Sequence, residues 1–176
     1  MAGGFDPGEA LKVLEKTFGA AAPGAEIRKP GLPAPLTGSS VHTLAVDITD
    51  QRLQLAFNGP DPRDRDAEVL ELLAAVLGGP GGRLQRALDA GGFSPRSVFA
   101  SLAVNRGFSR FLVSASLPAG ADGRKALAAL LAELDLLAGG GPTVPETDAA
   151  RRSLLTEESL GRERLHYFLM GKAPWV

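Results

Sequence analysis

The chain contains no cysteine, two histidines, one tryptophan and one tyrosine. The missing thiols exclude disulfides and every thiolate metal site, although they leave the compartment open between cytoplasm and periplasm. Charge of one sign is missing too. Nineteen basic residues face twenty acidic ones, the formal net charge is −1, and both signs are interspersed. Without a basic stripe to meet phosphates, nucleic acid is not an expected partner. The longest apolar runs, such as "ALAALLAELDLLA", carry charges and are too short to cross a bilayer. The opening "MAGGFDPGEA" has neither the basic start nor the apolar stretch of a signal peptide.

What is present suits a globular domain. A length of 176 residues, 44% hydrophobic, bounds the chain to a single domain with a sizeable core. Its richness in Ala, Gly, Leu and Arg points to a GC-rich bacterial genome. The start enters a helix cap almost at once and "YFLMGKAPWV" stops just after an apolar segment, so a piece of a longer protein is expected.

Start and stop signals delimit the elements. In "FDPGEALKVLEKTFG", Asp6 caps, Pro7 suits the first turn, Glu9 completes a capping box, and Leu11, Leu14 and Phe18 form an apolar face closed by Gly19. Residues 20–41, rich in Pro and Gly, read as a linker or surface crossing. "HTLAVDITDQRLQLAFNGP" alternates twice, with Leu44, Val46 and Ile48 on one side and Leu53, Leu55 and Phe57 on another. This predicts a hairpin turning at Asp50 and Gln51, or one long bent strand.

"DPRDRDAEVLELLAAVLGG" repeats the Asp-Pro helix start, with Leu70, Leu73 and Leu77 inward, and "RLQRALDAGG" is a short helix. "SVFASLAV" and "RFLVSASLP" then pair as a hairpin through "NRGFS". In the Leu-rich helix, Leu127, Leu130, Leu131, Leu134 and Leu137 make a broad apolar face. A capping box from Thr143 to Glu146 starts the last helix, with a break at Gly161. The order α-β-β-α-α-β-β-α-α, without βαβ alternation, gives an α+β fold with helices packed on an antiparallel sheet.

No catalytic constellation emerges from these residues. "GGPGGR" lacks the Lys-Ser/Thr ending of a phosphate loop, and "DPRDRD" lacks the Gly and distant Glu of an EF-hand. The closing "SLGRERLHYFLMGKAPWV", with Trp175, reads as a helix packing on the remainder of the protein; contact with a membrane surface is the alternative.

"GGFDPGEALKVLEKTFG", "DAEVLELLAAVLGGPGGRLQRALD" and "PETDAARRSLL" together resemble the second half of a domain from the M16 family of zinc peptidases, the insulysin-like, pitrilysin-like and mitochondrial-processing-peptidase-like enzymes. The likeness runs from about Gly3 to about Met170. It implies an M16-like half-domain whose zinc motif, His-x-x-Glu-His, lies upstream in the family. His42 and His166 stand outside any such pattern.

The resemblance therefore implies a chain with no catalytic residue, no metal ligand and no cofactor of its own, zinc being carried by the parent or a partner. Its implied role is to form part of the peptide-enclosing chamber and pack against the zinc-bearing half. The implied partners are the remaining M16 domains or a zinc-bearing subunit, with peptide as substrate. The alternative is an inactive M16-like homologue with a structural or subunit-partner role.

In the family's non-zinc partner domain an Arg and a Tyr seven residues apart contact substrate. Laid without gaps on "RLQRALDAGGFSPRSV", these positions hold Asp89 and Arg96. A carboxylate cannot donate to a substrate carbonyl, and Arg lacks the phenol. A shifted frame gives Arg86 and Phe93 but breaks the match at "RL" and "SV". An Asp89–Arg96 ion pair across the helix-to-strand turn is the expected replacement.

Overall fold

The computed structural model describes residues 4–22, 24, 31–61, 63–79, 81–105 and 107–163. In chain order the elements are α1 (Pro7–Phe18), β1 (Gln51–Asn58), α2 (Arg65–Gly78), α3 (Arg83–Ala90), β2 (Ser97–Asn105), β3 (Phe108–Leu117), α4 (Gly123–Gly140) and α5 (Val144–Glu163). The fold is α+β. Its sheet has the order β1-β3-β2, and both outer strands run antiparallel to β3.

The hairpin between β2 and β3 forms as its alternation predicts. Asn105 pairs with Phe108 at the closed end of the hairpin. Gly107 has φ +83°, a conformation that costs little only without a Cβ. Along β3 every second residue is buried: Ser109, Phe111, Val113, Ala115 and Leu117. Period two therefore sorts the sheet into one covered face and one uncovered face. The Ser109 hydroxyl, the one buried polar side chain among the described residues, donates to the Pro60 carbonyl at 2.7 Å.

The helices assemble over the covered face. Leu77 of α2, Leu84 and Leu88 of α3, and Ala126 and Leu130 of α4 are fully buried with Val113 and Leu117. The α2 terminus comes so close to β2 that a Cβ on Gly78 would stand 2.8 Å from the Phe99 carbonyl carbon and nearer still to the Ala100 nitrogen. Of the predicted α4 face, Leu130 and Leu137 are buried, Leu127 and Leu134 pack against the core, and Leu131 stays exposed. No single helix among the described residues is long and apolar enough to cross a membrane. The bent pair α4–α5 meets at 108° and buries Leu130 and Leu137 in this core.

Several boundaries depart from expectation. The predicted partner of β1 does not form: residues 41–48 have no regular structure, and Leu44, Val46 and Ile48 are exposed by 83%, 61% and 48%. Alternation alone makes a side for burial, but a strand also needs a neighbour for its backbone groups. Likewise α1 forms, with the Asp6 carboxylate accepting from the Glu9 N–H at 2.8 Å, yet buries none of its residues. Leu11, Leu14 and Phe18 all face solvent.

The Asp-Pro start of α2 is displaced. Asp61 accepts from the Arg63 N–H at 2.9 Å in a turn, and Asp64 becomes the cap residue. Gly161 does not break α5, which continues to Glu163. The separate closing helix predicted after Gly161, together with His166 and Trp175, lies outside the described residues.

Residues 31–41, in the second half of the predicted linker, have no regular structure but are pinned to the sheet. The Asn58 side chain accepts from the Leu36 N–H at 2.9 Å and donates to its carbonyl at 2.8 Å. Arg110 donates to the Ala34 carbonyl at 3.0 Å.

Candidate functional site

The uncovered face of the sheet is built in rows set by strand register. Arg52, Ser116 and Ser97 form one row; Gln54, Ser114 and Phe99 the next; Ala56, Leu112 and Ser101 the third; Asn58, Arg110 and Ala103 the last. Rows two residues apart lie about 6.7 Å from one another. None of these twelve residues belongs to the buried core, and Phe99 is 50% exposed on the edge strand β2. Hydroxyls, two amides and small side chains dominate the face.

One end of this face carries an ion pair between the residues just before β1 and β2, which also reaches Ser116 near the end of β3. Arg96 Nε lies 3.0 Å from Asp50 Oδ1, and Asp50 Oδ2 accepts from the Ser116 hydroxyl at 3.4 Å. The turn that delivers Arg96 passes Gly92 at φ +77° and Ser94 at φ +45°, then places the Arg96 N–H 2.8 Å from the Ser116 carbonyl. Arg96 is therefore fixed through its backbone while its side chain stays 63% exposed.

This geometry corrects the expected Asp89–Arg96 ion pair. Asp89, at the end of α3, accepts instead from Gln85 Nε2 at 3.0 Å. One helical turn separates those two, so the local contact is the easier one to make. The shifted-frame residues also part company. Phe93 packs on the core, while Arg86 donates to the Gly81 carbonyl and to Glu146 Oε1, the latter at 3.1 Å.

Sequence reasoning missed the most densely bonded charges. Glu146 receives Arg83 through both oxygens, at 2.9 Å from Nε and 2.8 Å from Nη2, and Arg83 also reaches Glu133 at 3.4 Å. The same carboxylate accepts from the Thr143 N–H at 2.9 Å, so the predicted capping box is present and doubly employed. These bonds tie the starts of α3 and α5 to α4. The two-pronged Arg83 contact, then the Thr143 amide, hold the Glu146 carboxyl down at about 2. Glu146 in turn raises the Arg83 guanidinium. The capping pattern marked Glu146, but nothing local marked Arg83, which is 63 residues away.

Among the described residues no three His, Cys, Asp or Glu side chains stand close enough to hold an ion, and exposed His42 shares a 3.1 Å bond with Ser40. Two open concavities lie on the described surface. A cavity of about 320 Å³ lies between α2, β2 and α5, lined by Ala74, Gly78, Ala100 and Leu154. Another of about 510 Å³ lies between the Gly91–Ser94 turn and the Pro118–Asp122 turn. The first also has Glu71, Ser101, Ser153 and Glu157 on its walls.

The helices thus cover one face of the sheet, while the other stays largely open, with residues 34–36 held at its Asn58–Arg110 end. No curated protein matches the chain. Among solved structures, the crystal structure of a peptidase M16 inactive domain from Pseudomonas fluorescens is similar, with 24% identity and a TM-score of 0.54. That likeness shows the fold. It covers 61% of this chain and 26% of that one, so the chain matches only about a quarter of the other protein's length. The family model described as "Peptidase M16 inactive domain" matches residues 1–154. With most of its length inside that match, the chain belongs to the M16 peptidase inactive-domain family.

Proposed function

We propose that the chain is a non-catalytic part of an M16-like metallopeptidase, that the uncovered face of its sheet lines a peptide-enclosing chamber, and that it packs against a zinc-bearing half. The one-sided sheet carries this reading: α2, α3 and α4 bury one face, while the other keeps Ser97, Ser101, Ser114 and Gln54 in reach of a ligand. Serine hydroxyls and an amide can bond any peptide backbone, which suits enclosure without a strict sequence requirement. The zinc-bearing half belongs to the parent chain or to a partner subunit.

Photo-crosslinking tests the assignment of faces. A photoreactive phenylalanine at position 99, in the presence of the zinc-bearing half, captures an unfolded peptide substrate. The same group at Leu136, exposed on α4, does not. Equal capture at both positions contradicts the chamber-wall reading.

A second reading is favoured by Asp89 and Arg96, which occupy the positions of the family's substrate-contacting Arg and Tyr and offer neither group's chemistry. In it the parent is catalytically silent and serves as a structural subunit. A His-x-x-Glu-His motif in the parent or an adjacent gene, with peptidase activity abolished by a chelator, decides for the first reading.

A further inference from the structure

The charges on the uncovered face are few and lopsided. Its titratable residues are Asp50, Arg52 and Arg96 at one end and Arg110 at the other. Arg110 is taken up by the Ala34 and Ser109 carbonyls and lies 5.5 Å from the centre of the Phe108 ring. The single carboxylate, Asp50, is spent on Arg96 Nε. A guanidinium has five N–H donors, so this contact leaves the terminal nitrogens of Arg96 available. Arg52, exposed beside Ser116, has no hydrogen-bond or ion-pair partner among the described residues. Two guanidiniums around one carboxylate leave a net positive end bordered by the Ser97 and Ser116 hydroxyls.

One row along stands Phe99, half-exposed, with Leu112 a further row away. An extended polypeptide presents same-side residues at the spacing of these rows, about 6.7 Å. Charge and spacing together define an occupant. We propose that this face selects extended peptide segments bearing an Asp or Glu side chain two residues from a large apolar one, with Arg52 and Arg96 receiving the carboxylate and Phe99 the apolar group. Asp50 acts as a positioning residue: by holding Nε it turns the remaining edge of Arg96 outward. This inference rests on the chamber-wall reading, because it assigns a substrate preference to that wall.

Fluorescence anisotropy with the full chain tests it. The probes are labelled ten-residue peptides of Gly and Ser, C-terminally amidated, carrying Glu and Phe two residues apart, with a single residue between them. Companion probes replace the Glu by Gln or by Lys. The Glu probe binds about tenfold more tightly than the Lys probe at low salt, as expected for one or two exposed charge pairs, and the gap closes as salt rises. Arg52→Gln and Arg96→Gln each cut the Glu preference about threefold, and the double variant removes it.

Because Arg52 touches no described partner, its replacement reports on binding independently of folding. Equal binding of the three probes, with Phe99→Ser abolishing all of it, overturns the carboxylate preference and leaves the chamber wall standing. Binding that ignores Phe99→Ser as well overturns both.

Discussion

Replacing Glu146 by Gln keeps the side chain's shape and removes its charge. In the folded chain the Glu146 carboxyl sits at about 2 against an ordinary 4.5, chiefly because Arg83 binds both its oxygens. A carboxyl depressed on folding stabilises the protein above its unfolded value, and that stabilisation is lost as pH falls from about 4.5 toward 2. The full linkage corresponds to about 3 kcal/mol at 1.36 kcal/mol per pH unit. Glu146 is 22% exposed, so solvent screening reduces this to about 1–2 kcal/mol.

The substitution also leaves Arg83, 15% exposed, with one neutral acceptor at position 146 in place of a two-pronged carboxylate, beside its longer contacts to Glu133 and the Gly141 carbonyl. Urea unfolding at pH 7 is therefore expected to show Glu146→Gln less stable by about 1–2 kcal/mol, a loss of roughly 3–6 °C in Tm for a chain of this size. At pH 3 more than half of the difference disappears, because the wild type has by then lost most of the same contribution. Equal stability at pH 7, or a difference independent of pH, refutes the claim that this carboxylate fastens α3 to α5.

Gly78→Ala places a methyl against the Phe99 and Ala100 backbone and is expected to cost about 1–3 kcal/mol in the same assay. Phe18→Ser, on the uncovered side of α1, shifts the stability of this chain by no more than about 0.5 kcal/mol; a larger loss means that α1 is docked in solution. Asn58→Ala removes both bonds to Leu36, and hydrogen exchange is expected to show the Leu36 amide exchanging markedly faster. In the parent protein, Asp89→Arg with Arg96→Tyr strengthens binding of a peptide free of Asp and Glu in a direct titration, and unchanged affinity counts against these positions forming a substrate contact.

Patterns confined to neighbouring residues were legible in the sequence. The alternation of β3 needs only period two and a core to face, and Thr143 with Glu146 needs only three residues of spacing. What the sequence could not show depends on partners distant along the chain. Leu44, Val46 and Ile48 alternate as well as Leu53 and Leu55 do, yet only the latter pair lies opposite β3. The apolar stripe of α1 is equally regular and meets nothing among the described elements.

The same limit governs the candidate site. The family frame singled out Arg96, but the side chain that binds it, Asp50, lies 46 residues earlier (96 − 50), in what reads as a turn. Arg83 looked like part of a glycine-rich connection, and only the packed helices bring Glu146 to it.

The chain's lack of cysteine makes the central claim directly measurable. Single cysteines at Ser101, on the uncovered sheet face, and at Leu136, on the outer side of α4, report reaction with a maleimide when the chain is assembled with the zinc-bearing half. The account predicts that bound peptide slows labelling at position 101 several-fold and leaves position 136 unchanged. Protection at 136 with none at 101 would place the peptide on the helical side and contradict it.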